Sequence, residues 1–397
     1  TILEPVFVDL AAVVLDAPHE PLRAAEAFAA VVDDKAVTPA PGSTLGIDPV
    51  GATLRGTGAT DLSVVADAAA LARRIGVRAL TVDATAAHDA GASDVQELAY
   101  SLATGVQYLR LLVGSGVSVD DAADLVDFRY AATDQQFPTI AKLRAARRLW
   151  HRVLELSGVT DPAGQLQHAV TSRPMMSRYD PYVNMLRTTV AAFSAGVGGA
   201  AAVTVLPFDE PLGLPEAFSR RIARNTSSLL ISESHVGTVT DAAGGAYAVE
   251  QLTDDLARAA WELFGRIDAT SSLDEALASV RSGIAESVAA RGLAIANRSM
   301  PLTGVSEFPN LHEQTPERRP YADGRPEIHR YAHEFEAMRD EPVETAVFLA
   351  TLGPIAQHTA RATFATNLLA AGGVDVVVAG ATEGVDDVVG AYRDAKT

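Results

Sequence analysis

Short apolar runs alternate with longer amphipathic stretches over the first two thirds of the chain. The runs start roughly 30–50 residues apart, the length of a strand, a crossover helix and two loops. Near-continuous apolar runs are typical of parallel strands buried on both faces. The predicted strands are residues 6–10, 45–48, 79–83, 126–130, 168–171 and 202–206, with a last one around 229–231. This series favours a (β/α)8 barrel; an open doubly wound sheet stays the alternative, because periodicity does not report closure.

The stretches between these runs have the apolar period of helices. Residues 138–156 and 254–267 each place apolar side chains on one helical face, with charged residues around it. Thr253 and Asp254 form a suitable N-cap, so the second helix is predicted to begin there. Two further predicted helical stretches are residues 273–289 and 286–297.

The pattern changes after the barrel-like region. Residues 301–340 are rich in proline, charge and histidine, which is typical of a linker that wraps over a surface. A strand at 346–350, a helix at 359–371 and a strand at 374–378 then predict the opening of a second α/β domain.

These patterns divide the chain into three predicted parts. They are a barrel over residues 1–267, a helical segment with the linker over 268–340, and the start of the second α/β domain over 341–397. The sequence does not begin with Met, and its last part is too short for a closed three-layer domain. We therefore expect a piece of a longer product, with the first part of the barrel and most of the second domain outside it.

Charge and composition narrow the class of protein. Lys and Arg number 32 and Asp and Glu number 50, for a formal net charge of -18, which argues against nucleic-acid and anionic-membrane partners. The absence of cysteine excludes disulfides, thiolate metal sites and cysteine nucleophiles. The chain lacks a charge-free run of about 18 apolar residues and a basic leader at its start. We predict a cytoplasmic location.

Polar residues follow the predicted strands, where parallel barrels carry their active sites. A His with carboxylates at one mouth could support general acid–base chemistry. The alternative is that these residues cap helices and close loops. The candidates are Asp83, His88, Thr133, Asp134, Ser172, Arg173, Phe208, Asp209 and Glu210.

Other short motifs do not point to a metal or phosphate site. His329 and His333 could face one metal from a helix, but a third ligand with suitable spacing is missing, so we predict that the chain holds no metal. A phosphate-binding GxxxxGK[ST] loop is absent. Residues 196–199 contain three glycines between a helix and a strand, which is typical of a helix C-cap and turn.

Several segments, in order along nearly the whole chain, together resemble the methylmalonyl-CoA mutase family. They are residues 95–100 (VQELAY), 136–145 (QFPTIAKLRA), 180–187 (DPYVNMLR), 221–226 (RIARNT), 244–247 (GGAY), 305–309 (VSEFP) and 352–353 (LG). The resemblance is closest to the small, non-catalytic subunit of the heterodimeric bacterial members.

The resemblance implies a fold and a chemistry. Catalytic members hold an acyl-CoA along the axis of a (β/α)8 barrel. A flavodoxin-like domain carries adenosylcobalamin over the barrel mouth, and a radical generated there interconverts methylmalonyl-CoA and succinyl-CoA. The protein orients the substrate, excludes water and protects radicals, while the cofactor supplies the chemistry.

The cofactor motif of catalytic members is altered in this chain. That motif is Asp-x-His-x-x-Gly, in which the His ligates cobalt and the Asp holds the His. The matching residues are Ala356, His358 and Arg361, so only the His is retained. Arg361 would crowd a turn where a Gly lets the backbone approach a ligand. A Lys upstream of the motif falls on Leu352.

The substrate motifs are altered as well. An Arg that grips the substrate carboxylate in catalytic members matches His88, and a neutral His cannot replace a bidentate guanidinium. A His-Thr-Asn stretch at the end of a later strand matches residues 204–206. The catalytic His of a His-x-x-Thr-Ser stretch is retained as His168.

These departures lead to one hypothesis and two rivals. The chain is expected to be a non-catalytic small subunit, with His168 and His358 as remnants, that binds no cofactor itself. A homologous large subunit would be its partner in a heterodimer and would carry adenosylcobalamin. The first rival is a catalytically active acyl-CoA mutase with an altered acyl substrate. The second is a cobalamin-independent barrel enzyme that uses His168 with nearby carboxylates.

Overall fold

The protein is described by a computed structural model over residues 2–58, 61–162, 164–322, 327–342 and 345–395. Its first sheet is parallel, with the strands side by side in chain order. The strands are β1 (Thr44–Ile47), β2 (Arg78–Asp83), β3 (Val126–Ala132), β4 (Gln167–Thr171) and β5 (Ala202–Thr204). They confirm the five central predicted strands, although β5 ends two residues early.

Two predicted strands are wrong. Residues 6–10 form an irregular segment that ends in a turn, in which the amide of Leu10 donates to the carbonyl of Phe7. Val8 is buried there, whereas Phe7 and Leu10 are exposed. The apolar run at 229–231 is the end of a helix, because a short apolar run reads alike in a strand and in a helix.

Helices connect the strands and cover one face of the sheet. They are α1 (Pro21–Lys35), α2 (Pro49–Arg55), α3 (Val64–Ile75), α4 (Thr85–Asp89), α5 (Asp94–Gly114), α6 (Val119–Asp124), α7 (Gln136–Leu156), α8 (Val183–Val197), α9 (Ala217–Ser232), α10 (Tyr247–Asp268) and α11 (Leu273–Ala296). Ser93 and Gln96 form a capping box that starts α5.

The helices confirm some predicted boundaries and correct others. The helix over 138–156 is confirmed as α7. The predicted start at Thr253 is wrong, because α10 begins at Tyr247 and the Thr253 hydroxyl donates to the carbonyl of Val249 within the helix. The two stretches after residue 273 are a single helix, α11. The turn after α8 has Gly198 at the C-cap and Gly199 at a φ of 82°, as predicted.

The core lies between the sheet and these helices. Every residue of β3 is buried, and Phe128 packs edge-on against Trp150 of α7 with ring centroids 4.7 Å apart. A Cβ atom on Gly105 would lie 2.7 Å from the same Trp150 ring, so this glycine lets α5 approach α7. Side chains alternate along a strand, so Asp127 and Arg129 lie on the opposite face of the sheet.

The two edges of the sheet differ. Beside β1, residues 13–15 run alongside the strand, with Val14 paired to Thr44 and the amide of Leu15 donating to the carbonyl of Thr44. Beyond β5, the described part of the chain supplies no further strand to the sheet. The described sheet is therefore half of a barrel, and closure with eight strands is not seen.

The segment after α11 packs on the carboxyl ends of the strands. The amide of His329 donates to the carbonyl of Asp89, and the amide of Tyr331 donates to the carbonyl of Pro174, both at 2.9 Å. Helix α12 (His333–Asp340) follows. The predicted linker thus wraps over a surface, although its residues 323–326 lie outside the described ranges.

The last part of the chain forms a second, two-stranded parallel sheet. Its elements are β6 (Val347–Leu349), α13 (Ile355–Ala371), β7 (Val376–Val378) and α14 (Val385–Ala395). The predicted strand–helix–strand order is confirmed, and α13 begins four residues earlier than predicted. The three-part domain division stays a prediction.

Candidate functional site at the carboxyl ends of the strands

The residues predicted at the strand ends do lie at one edge of the sheet. His88 Nε2 is 2.7 Å from Ser172 Oγ, which joins the segment after β2 to the segment after β4. Arg173 contacts Asp89 at 3.3 Å and Glu210 at 3.4 Å, which adds the segment after β5. Parallel strands bring these residues together although they are far apart in sequence.

His88 is part of the interior. Its side chain and that of Ser172 are only 2% and 1% exposed. The other ring nitrogen, Nδ1, lies 3.6 Å from Glu97 Oε2 and has no hydrogen-bond partner among the described residues. The Ser172 hydroxyl also accepts the amide of Met175. His88 therefore cross-links two loops and leaves little surface for a ligand.

A buried ion cluster lies next to His88. Lys142 Nζ is 2.6 Å from Glu97 Oε2 and 2.8 Å from Asp94 Oδ1, and the amide of Ala131 donates to Glu97. Burial by itself lowers the pKa of Lys142, but the two carboxylates outweigh it and raise that pKa. This cluster was not predicted from the sequence. A charged Lys142 inside the apolar stretch 140–143 was the available signal.

A second ion cluster surrounds Asp83 at the end of β2. Arg55 and Arg129 both contact Asp83 Oδ2, at 2.9 and 3.0 Å. The hydroxyl and the amide of Thr85 donate to Asp83 Oδ1 at 2.6 and 3.1 Å. Burial alone raises the pKa of Asp83, but the two guanidiniums hold it well below its usual range. Neither arginine was singled out from the sequence.

Asp48, directly after β1, has a raised pKa, in contrast to the lowered pKa of Asp83. It caps α2 by accepting the amide of Gly51, and it also accepts the Tyr108 hydroxyl and the amide of Asp83. Burial, together with the nearby charge of Asp83, raises the pKa of Asp48 to about 6. Two neighbouring carboxyls whose pKa values move apart are typical of acid–base sites and also of buried ion networks.

His168 lies on β4, on the face of the sheet opposite the helices. Its Nε2 is 2.8 Å from Thr204 Oγ1, so the retained His contacts the first of the three replaced positions, 204–206. Its Nδ1 has no hydrogen-bond partner among the described residues. Desolvation, and then the charge of Arg129, lower the pKa of His168 to about 4.

The other predicted candidates have structural contacts. Thr133 is hydrogen-bonded to Thr139 at the start of α7, and burial raises the pKa of Asp134. Asp209 is buried against Arg318 at 2.5 Å. The ring of Phe208 packs on Tyr182. For these residues, the capping and loop-closing alternative fits the structure.

The two histidines considered as metal ligands are not on one helix. His329 precedes α12, His333 is its first residue, and their ring centroids are 6.4 Å apart. Within the described ranges, no group of three or more His, Asp or Glu side chains is placed to hold a metal ion.

Comparison with known proteins identifies the family. A family model described as methylmalonyl-CoA mutase matches residues 61–396. This chain belongs to the methylmalonyl-CoA mutase family. It is 52% identical to the methylmalonyl-CoA mutase small subunit of Streptomyces virginiae, over 94% of this chain and 64% of that protein.

Two further relatives carry the same description. The chain is 46% identical to the probable methylmalonyl-CoA mutase small subunit of Mycobacterium bovis, over 96% of this chain and 64% of that protein. It is 42% identical to the methylmalonyl-CoA mutase small subunit of Propionibacterium freudenreichii subsp. shermanii, over 83% of this chain and 54% of that protein. This mutase-family chain thus spans a little under two thirds of the length of the first two relatives.

The family raises the question of whether the second sheet fits adenosylcobalamin. His358 lies in the first turn of α13, and both of its ring nitrogens are shielded from solvent with no hydrogen-bond partner among the described residues. Where the resemblance places the carboxylate that holds such a His, this chain has the methyl group of Ala356. Arg361 follows His358 by three residues, on the same side of the helix. These residues do not fit the cofactor motif of the family.

Among the described residues, every helix falls short of the length and apolar character needed to cross a lipid bilayer.

Proposed function

We propose that this chain is the non-catalytic small subunit of a heterodimeric, adenosylcobalamin-dependent methylmalonyl-CoA mutase. The observation that carries the proposal is the position of His88. It stands where catalytic members are expected to present an Arg to the substrate carboxylate, yet it is 2% exposed and hydrogen-bonded to Ser172. A side chain held in this way offers neither the charge nor the access that a carboxylate needs.

The other altered positions support the same proposal. Thr204, at the position of a family His, contacts His168 and lies on β5. Ala356 and Arg361 flank His358 on α13 and remove the carboxylate and the glycine of the cofactor motif. The chain therefore binds no cofactor, and adenosylcobalamin, which supplies the radical chemistry, is held by the partner.

The partner is a homologous large subunit. We propose that the five-stranded sheet is part of a (β/α)8 barrel and that the second sheet begins a flavodoxin-like domain. The small-subunit descriptions of the relatives support a heterodimer. An obligate interface of this kind buries on the order of 2,000 Å2 or more, so the chain is expected to be recovered in lower yield without its partner than with it. A cytoplasmic location stays a prediction.

One rival function has its own observations. An active acyl-CoA mutase with an altered acyl group would use the retained His168, and both ring nitrogens of His358 have no hydrogen-bond partner among the described residues. A changed acyl group, however, gives no reason to lose the carboxylate and glycine of the cofactor motif. The non-catalytic reading therefore accounts for more of the altered positions.

The test compares matched substitutions in the two subunits of the co-expressed complex. His168→Asn and His358→Ala in this chain should leave methylmalonyl-CoA turnover and bound cobalamin within about twofold, the range of a neutral change. The same two substitutions at the matching histidines of the partner should abolish turnover. A tenfold or greater loss of turnover from either substitution in this chain would favour the active mutase. If that turnover proceeds without bound cobalamin, the cobalamin-independent enzyme is favoured instead.

A further inference from the structure

A cavity of about 330 Å3 opens at the carboxyl ends of β1 and β2. Residues 16–19 and Pro21 form one wall and α2 forms another. Asp83, Arg55 and Arg129 all line it. The volume is several times the roughly 30 Å3 that a water molecule occupies in the liquid, so the cavity could hold a small organic ion.

The geometry around Asp83 is that of a bound carboxylate. One oxygen accepts from the two guanidiniums of Arg55 and Arg129, and the other accepts from the hydroxyl and the amide of Thr85. Two converging guanidiniums with two further donors are the chemistry by which proteins recognise a free carboxylate. Here the chain itself supplies that carboxylate from the end of β2.

We propose that Asp83 is a built-in ligand that occupies a carboxylate-binding site formed by Arg55, Arg129 and Thr85. Removal of its side chain opens that site to a small monocarboxylate such as acetate or propionate. The bound carboxylate then accepts hydrogen bonds from the same four donors: the two guanidiniums and the hydroxyl and amide of Thr85. In the intact chain, Asp83 keeps free carboxylates out of this cavity. The site is independent of His88 and His358, so it stands or falls separately from the proposed function.

The alternative is that Asp83 is an ordinary buried ion-pair partner. In that case its removal leaves Arg129 with Asp16, 3.5 Å away, and Arg55 with the Thr85 hydroxyl, and an added carboxylate does not reach either guanidinium. The two readings agree on the loss of stability in the variant. They differ on whether a carboxylate in solution restores it.

The experiment measures thermal unfolding of Asp83→Ala in chloride and in acetate or propionate at equal ionic strength. Loss of the buried carboxylate should lower Tm by roughly 10 °C in chloride. Acetate should then restore Tm in a saturable way, by about 5 °C at a concentration near 100 times its Kd. The unaltered protein, in which the site is filled, should show no saturable response and corrects for general salt effects.

A double variant provides the matched control. Asp83→Ala with Arg129→Met keeps the cavity but removes one guanidinium, so the acetate response should fall at least tenfold in apparent affinity. Equal Tm values in chloride and acetate for Asp83→Ala would overturn the proposal, as would an equal response in the double variant. Asp83→Ser is a second, milder variant for the same measurement. If neither Asp83→Ala nor Asp83→Ser is recovered folded from chloride, the yield of refolded protein in chloride and in acetate is measured instead of Tm. A higher yield in acetate supports the proposal, and equal yields contradict it.

Discussion

The segment after β2 and the start of α13 each contain positions at which the resemblance implies an altered motif, and they differ in how their polar side chains are held. At the end of β2, His88 contacts Ser172, and Asp83 contacts Arg55 and Arg129. At the start of α13, both ring nitrogens of His358 have no hydrogen-bond partner among the described residues.

Under the proposed function, these two regions lost a ligand site in different ways. Near the end of β2, His88 belongs to a buried polar cluster that joins the segments after β2 and β4. In the second sheet, a motif residue is retained but its partners have been replaced without substitutes. Buried networks are costly to break because a remaining partner is left unpaired. Substitutions at the strand ends should therefore destabilise the protein far more than substitutions at the start of α13.

The largest effect is expected for Lys142→Met. The variant leaves Glu97 and Asp94 close together with no cation between them, and Lys142 and Glu97 are fully buried. We expect a loss of about 3–5 kcal/mol in the free energy of unfolding, measured by urea denaturation. Arg152→Met on the same helix is the control, because that side chain is 57% exposed, and its cost should stay below about 1 kcal/mol. Similar costs for the two variants would break the comparison.

The next effect concerns pH. The pKa of Asp48 is raised to about 6 from an ordinary value of 3.8, so the folded state holds this proton more tightly than the unfolded state does. Its contribution therefore makes the protein less stable as pH rises from about 4 to about 6, by roughly 3 kcal/mol in total. Asp48→Asn keeps an acceptor for α2 and removes the titration. Unfolding curves over this pH range should lose that slope in the variant; an unchanged slope would refute the assignment.

A smaller effect is expected for His88→Ala. The variant loses the hydrogen bond to Ser172 and leaves a small cavity, which together should cost about 2 kcal/mol in the free energy of unfolding. His151→Ala is the matched control, since that ring is 47% exposed on α7. A cost below 0.5 kcal/mol, as for a typical surface change, would mean that His88 is not a structural cross-link.

The smallest effect is expected for His358→Ala. The ring has no hydrogen bond to lose among the described residues, and Ala is favoured within a helix. The free energy of unfolding should change by no more than about 0.5 kcal/mol. A cost comparable to that of His88→Ala would show that the second sheet has also rebuilt its site, and the contrast between the two regions would disappear.

The sequence predicts the strands well where local pattern decides the structure. Residues 79–83 are a largely apolar run, residues 126–130 alternate apolar and charged side chains, and both segments are strands between helices. The run at 229–231 fails because its partners decide its conformation: it ends a helix that begins at Ala217. Local pattern also placed His88 and Ser172 at one edge of the sheet, because parallel strands share a direction.

The ion clusters could not be predicted in the same way. Arg55 and Arg129 reach Asp83 from α2 and β3, and Lys142 reaches Glu97 across 45 residues of sequence. A single sequence contains no periodicity that reports such pairs. The same holds for His88, whose burial against Ser172 turned a candidate catalytic residue into a cross-link.

The central claim is that this chain keeps the fold of its family without a working cofactor site. A cobalamin titration of the chain purified alone, followed by visible absorption, tests that claim most directly, with the co-expressed complex as the positive control. The account predicts no saturable spectral change for the chain alone and about one cobalamin per pair for the complex. A saturable change in the chain alone that is lost in His358→Ala would contradict it, because His358 would then bind the cofactor.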